Sequence, residues 1–331
     1  MSPHGAGWGE PEVRTLLAIF LSLAAVAHAQ GDWPKRDVRI MIGFSAGGTT
    51  DIVTRLISTD LNKAWGQPIV IDNRPGAGGN IAAELVAKSK PDGYTLLMGS
   101  VAPLAINASL YKNIPFDNLR DFAPVTLVAH VPNVLVFSPK AMQPANLREF
   151  IALLKASPGK YFYASTGAGT SSHLSGELLK QLAGVDITHV PYKGAVALND
   201  VLAGDQVHFM FATIPSAINH VRSGKLRAIA VTSIKRSEGL PELPTVAESG
   251  FPGFDASSWF GLVGPAGLPR EIAARISADV AAALKKPELR EKFIQQGADP
   301  VGSTPEEFGA YMRAETAKWA PIVKASGAQA N

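Results

Sequence analysis

Two glycine-rich turns hold the residues of this chain best suited to grip a ligand. The first, Ser45-Ala46-Gly47-Gly48-Thr49-Thr50-Asp51, follows the apolar run 38–44. The second, Thr166-Gly167-Ala168-Gly169-Thr170-Ser171-Ser172-His173, follows the apolar run 161–165. Each reads as strand, tight turn, helix start. Such a junction leaves main-chain N–H groups unpaired and aims the positive end of a helix at one point, which makes an anion site. Neither turn ends in the Gly-Lys-Ser/Thr of a triphosphate-binding loop. A hydroxyl-rich cradle without lysine suits a carboxylate, and two of them suggest two lobes gripping one small acid. Asp51, in the first turn of its helix, is read as structural, because an acid there favours the helix dipole and repels a bound carboxylate.

Other chemistry finds little to stand on. His130, His189, His208 and His220 lack metal-ligand spacing, so no metal is expected. There is no Gly-x-Ser-x-Gly elbow and no close carboxylate pair for acid–base work, so no catalytic residue is assigned. Gly76-Ala77-Gly78-Gly79-Asn80 is half a dinucleotide fingerprint, but Ile81 stands where a final glycine or alanine belongs. The strand that follows also lacks the ribose-binding acid, so no cofactor is expected. Tyr192-Lys193-Gly194 also follows a strand. Lys193 is read as an exposed lysine, although it could complement a second carboxylate. Trp259 is read as a core anchor.

The chain has 331 residues, 46% hydrophobic and 18% charged, with a formal charge of +3 and no cysteine. That is ordinary globular material with length for two domains. The basic residues are not clustered with aromatics, which argues against nucleic acid. Residues 16–27 form an apolar stretch too short to span a bilayer, and Ala27-His28-Ala29 is a small-x-small cleavage pattern. Residues 1–29 therefore read as a signal peptide cleaved before Gln30. The stretch ahead of it is long and carries Glu10 and Glu12 against Arg14, so a start at Val13 is an alternative to Met1. Without cysteine there is no lipid anchor. The expectation is a protein free in the periplasm, and a monomer.

Strand-like and helical patterns alternate along the chain, the α/β signature. Strands are expected at 38–44, 69–73, 94–99, 134–138, 161–165, 187–191, 209–213, 228–233 and 259–264. Helices are expected at 51–65, 81–88, 146–157, 172–183, 195–203 and 216–223. The C-terminal quarter reads as helices over 270–285, 287–296 and 304–326, the last opened by the capping box Thr304-Pro305-Glu306-Glu307. No flexible linker divides the chain, so two lobes imply more than one crossing. The expected arrangement is lobe 1 from 31–127 plus 233–331, with lobe 2, 128–232, inserted. The hinges fall near 124–132 and 230–233. Both glycine turns lie at strand carboxyl ends, where open α/β sheets bind ligands.

The chain resembles the Bug-type periplasmic receptors of tripartite tricarboxylate transporters. The resemblance rests on the first glycine turn from Phe44, on Asp72-Asn73-Arg74-Pro75-Gly76-Ala77-Gly78-Gly79-Asn80, and on Pro91-Asp92-Gly93-Tyr94-Thr95-Leu96. It continues through Gly167-Ala168-Gly169-Thr170-Ser171-Ser172-His173-Leu174, Val190-Pro191-Tyr192-Lys193-Gly194, Leu243-Pro244-Thr245-Val246-Ala247-Glu248 and Trp259-Phe260-Gly261-Leu262. It implies a two-lobed periplasmic-binding-protein fold of type II kind, with mixed, mostly parallel sheets flanked by helices and a cleft between the lobes. It also implies capture of a dicarboxylate, tricarboxylate or aromatic acid and delivery to membrane permease subunits. In that family the carboxylate is held at loops matching 46–49 and 167–172. The candidate ligand-binding residues are Phe44, Ala46, Gly47, Gly48, Thr49, Ser100, Thr166, Gly167, Gly169, Thr170, Ser171, Ser172, His173, Tyr192 and Thr213. Two alternatives remain open. One is an exported α/β hydrolase or isomerase using Ser100, or Ser172 with His173. The other is a subunit that presents its ligand to a sensor kinase.

Overall fold

The computed structural model describes Met1 and residues 33–330. The expected signal segment, its cleavage point and both candidate starts lie outside the described residues, apart from Met1 itself. In chain order the elements begin β1 (Val38–Ile42), α1 (Thr49–Trp65), β2 (Ile69–Asn73), α2 (Asn80–Ala87) and β3 (Thr95–Ser100). A π-helical turn, Ala102–Ile106, then leads into the short α3 (Asn107–Leu110). Next come β4 (Phe122–Val131), β5 (Asn133–Phe137), α4 (Leu147–Ala156), β6 (Tyr161–Ser165), α5 (Ser171–Ala183), β7 (Ile187–Pro191) and α6 (Ala197–Ala203). The chain continues through β8 (Phe209–Thr213), α7 (Ile214–Arg222), β9 (Arg227–Val231), β10 (Ser258–Pro265), α8 (Arg270–Leu284), α9 (Pro287–Gln295), β11 (Asp299–Pro300) and α10 (Pro305–Ser326).

The strands form two mixed sheets flanked by helices. The first runs β11-β4-β10-β3-β1-β2 and the second β7-β6-β8-β5-β9. Parallel pairing is confined to β2-β1-β3 and β7-β6-β8, where helices connect the strands. The remaining pairs, all involving β4, β5 or β10, are antiparallel. The sheets are thus more evenly mixed than the repeating strand–helix pattern suggests. β4 ends in the first sheet at Val131, and β5 starts in the second at Asn133. Thr232, just past β9, ties these passages together: its hydroxyl accepts the Asn133 N–H (2.9 Å) and its carbonyl the Ala256 N–H (3.2 Å). Residues 244–246 run beside β9, bridged through Val231 and Thr245.

The segment 124–132 was expected only as a crossing, yet most of it is β4, with Pro124 inside the strand and Pro132 just past its end. Proline removes a ladder donor and is confined to edges and irregular places. Here β11 pairs with β4 only at Ala129 and His130, so one flank of β4 is free of strand pairing at Pro124. The expected capping box is present, Thr304 and Glu307 each bonding the other's main chain. Trp259 is 1% exposed and sits in the core as expected. Its Nε1, like that of Trp319, donates to Glu315 Oε2 at 2.9 Å.

Candidate functional site

The two glycine turns meet across one cleft. From the first-sheet side its walls are Phe44, Gly48, Thr49, Thr50, Ser100, Val101, Ser258 and Phe260. From the second-sheet side they are Thr166, Thr170, Ser171, Gly194, Ala195, Thr213 and Ser216. The cleft holds about 410 Å³ of space including its mouth. No lining residue is ionisable. Thr49 Oγ1 and Thr213 Oγ1 lie 2.6 Å apart, joining the two sides directly.

Two helices start at the cleft. In α1 the first main-chain bond runs from the Ile52 N–H to the Gly48 carbonyl (2.9 Å), which leaves the Thr49 and Thr50 N–H groups outside the helical ladder. In α5 the Leu174 N–H donates to the Thr170 carbonyl (3.0 Å), leaving those of Ser171 and Ser172 likewise. A third helix, α7, also begins here but offers fewer donors. Its Ile214 N–H goes to the Pro132 carbonyl (3.1 Å) and Pro215 has none.

Of the candidate residues, Phe44, Gly48, Thr49, Ser100, Thr166, Thr170, Ser171 and Thr213 line this cleft. The other seven stand behind it. Ala46 and Gly47 are exposed on the turn, and the Gly47 N–H is taken by Asp51 Oδ2 (3.1 Å). Asp51, itself buried, also receives two bonds from Arg55 (2.8 and 3.0 Å). Burial alone would raise its carboxyl; Arg55, the Gly47 N–H and Asn73 outweigh that and hold it below the usual range. Gly167 and Gly169 shape the second turn with φ of 142° and 81°, a region that favours glycine. Ser172 is buried with its hydroxyl unpartnered. The Tyr192 hydroxyl donates to Asp200 (2.5 Å), and burial with that carboxylate pushes its pKa up to about 12. Lys193 is exposed and off the cleft.

His173 points away from the cleft. Its Nδ1 accepts the Gly169 N–H (3.2 Å), and its ring stacks on His189 with centroids 4.0 Å apart. His189 Nε2 lies 2.6 Å from Ser165 Oγ. Burial lowers the His173 pKa to about 4 and that of His189, with a further push from His173, to about 3. Two neutral imidazoles thus back the second turn. Two hydroxyls of that turn are committed. Thr170 Oγ1 donates to the Gly167 carbonyl (2.7 Å) and Ser171 Oγ to Asn133 Oδ1 (3.2 Å). The donors left to the cleft here are main-chain N–H groups and the Thr166 hydroxyl. Thr50, Val101, Gly194, Ala195, Ser216, Ser258 and Phe260 line the cleft but were not among the candidates. Thr50 and Gly194 belong to motifs already singled out, and Val101 and Ser216 lie just past strand ends, which was the available signal for those four.

Two sheets with a charge-free cleft between helix starts define a two-lobed solute-binding protein. The chain belongs to the tripartite tricarboxylate transporter family receptors, whose family pattern matches residues 53–328. It is 38% identical over 317 residues to Protein BugT of Bordetella pertussis, covering 95% of this chain and 97% of that one. Among solved structures it is similar to R. palustris Rpa4515 with adipate, at 39% identity and a TM-score of 0.87, covering 89% of this chain and 99% of that one. MatC from Rhodopseudomonas palustris with bound malate gives 34% identity and a TM-score of 0.83, with 88% and 100% covered. Among the described residues, no helix is long and apolar enough to cross a membrane, and no cluster of three or more His, Asp or Glu could hold a metal ion.

Proposed function

We propose that the protein is a non-enzymatic periplasmic receptor that captures a small carboxylate by closing its lobes and delivers it to a tripartite tricarboxylate-type permease. The observation that carries this reading is the cleft itself. Helix starts from both sides, α1 and α5, reach it with unpaired N–H groups, and no ionisable side chain lines it. Helix ends of this kind favour an anion. A hydrolase or isomerase would need an acid or base within reach of the ligand, and His173 faces the other way. The solved relatives with adipate and malate support a dicarboxylate.

The lobes are 31–127 with 233–331, and the insertion 128–232, hinged near 124–132 and 230–233. The bonds joining Asn133, Thr232 and Ala256 support hinges at that level. In this reading residues 1–29 are the export signal, the mature chain is an unanchored monomer, and presentation to a sensor kinase is the rival partner role. A thermal-shift panel of mono-, di- and tricarboxylates and aromatic acids tests the reading. At a hundredfold excess over Kd the ligand should add about 2.7 kcal/mol of stability, and it should be recovered unchanged. Steady turnover of the acid would move the assignment to an enzyme.

A further inference from the structure

Ser100 is 4% exposed, lines the cleft, and its hydroxyl has no hydrogen-bond partner in the protein. The local chain is built to hold it there. Ser100 ends β3, directly before the π-helical turn Ala102–Ile106, a feature that often marks functional places. Gly99 precedes it, packed so closely against Leu104 that any side chain would collide. Phe260 of β10 is its register partner, and Ser258 lies on the same sheet face two residues back. These residues form the floor of the cleft on the first-sheet side.

We infer that Ser100 is a specificity-determining residue, and that the ligand carries a second oxygen function, a hydroxyl, carbonyl or carboxylate, that bonds to its hydroxyl. This rests on the carboxylate-receptor reading and adds to it. A buried polar group left unsatisfied is costly. The cleft has no ionisable residue that could turn to Ser100. A purely hydrocarbon tail entering there would displace any water and leave the hydroxyl unpaired. An oxygen placed there would satisfy it, and aromatic Phe260 beside it would cover the carbon chain.

The test is isothermal titration with two matched series: adipate, 6-hydroxyhexanoate and hexanoate, then succinate, 4-hydroxybutyrate and butyrate. In at least one series the wild type should bind the doubly oxygenated acids about ten- to a hundredfold more tightly than the plain monoacid. Whether diacid or hydroxy acid leads identifies the second function. Ser100→Ala should bring this preference within about threefold while hexanoate or butyrate binding is kept or improved. Its melting temperature without ligand should not fall, because an orphan hydroxyl has been removed. If the wild type binds monoacids as tightly as their oxygenated partners, or Ser100→Ala keeps the full preference, the inference is wrong and the receptor reading stands. If none of the six acids binds, this inference falls, while the carboxylate reading is decided separately by the thermal-shift panel with its tricarboxylates and aromatic acids.

Discussion

Thr213→Val tests whether the lobes are latched by the contact seen between them. Thr49 Oγ1 and Thr213 Oγ1 are 2.6 Å apart, and both residues are buried, at 5% and 9% exposure. Thr213 Oγ1 also lies 3.1 Å from Ser216 Oγ, which donates in turn to the Thr213 carbonyl at 2.7 Å. Valine keeps the shape and deletes the hydroxyl. Ser216 retains its carbonyl partner, whereas Thr49 is left with a buried hydroxyl and no mate. Leaving such a group unsatisfied costs about 1–3 kcal/mol. In an open form water would satisfy Thr49, so the cost falls on the closed form alone. A shift of about 2 kcal/mol in the closure equilibrium weakens apparent affinity by at most about thirtyfold, and by less the more the free wild type is already closed. Titration with the best carboxylate from the panel gives that number. Small-angle scattering should show a larger radius of gyration for the free variant than for the free wild type. An unchanged affinity together with an unchanged radius would refute the latch, because the penalty would then be absent or equal in both forms.

Further outcomes follow from the same geometry. Gly48→Val should abolish carboxylate binding in a folded protein: Gly48 has an ordinary φ of −78°, a Cβ there would already sit 3.3 Å from the Ser45 carbonyl oxygen and 3.5 Å from Ala195 Cβ, and the two valine methyls beyond it would fill the gap to the opposite wall; titration and circular dichroism check both halves. Thr170→Ala should cost about 0.5–2 kcal/mol of stability by removing the α5 cap, measured by urea unfolding. Glu315→Ala should destabilise by about 3–5 kcal/mol, because it strands two buried indole N–H groups and opens a void. Acidification should unfold the protein through its buried imidazoles. His173 titrates at about 4 in the fold against 6.5 when unfolded, so the unfolded state binds the extra proton first. Stability is full above pH 6.5 and is lost as pH falls toward 4, on the order of 3 kcal/mol for this group. His173→Gln should flatten that part of the stability–pH curve.

The strand pattern was legible wherever an apolar run ended in glycine, proline or a hydroxyl residue. The strands at 69–73, 161–165, 187–191 and 209–213 match the expected limits. β4 was hidden by Pro124, whose tolerance depends on how little of β4 the distant β11 covers, a tertiary fact. At the cleft, sequence located both glycine turns that meet there but could not say which atoms they spend on themselves. The Thr170 and Ser171 hydroxyls read as ligand donors, yet the fold uses them to close the turn and to bind Asn133. His173 comes two residues after Ser171, and at about 100° per helical residue that carries it to the opposite side.

That spending has a consequence for recognition. Asp51 takes the Gly47 N–H, and Arg55 neutralises Asp51, so an ion pair with a buried carboxylate and an exposed guanidinium fixes the first turn without placing either charge in the cleft. The imidazoles behind the second turn are kept neutral by burial and fix it in the same way. In the proposed function a ligand would therefore meet main-chain dipoles rather than mobile charged side chains. Rigid dipoles need little reorganisation when the lobes close, and they attract any carboxylate of fitting size. Discrimination must then come from the floor and the far wall, where Ser100, Ser258 and Phe260 stand. Substitutions at the two turns should scale the affinity for all carboxylates together, while substitutions on the floor should reorder them.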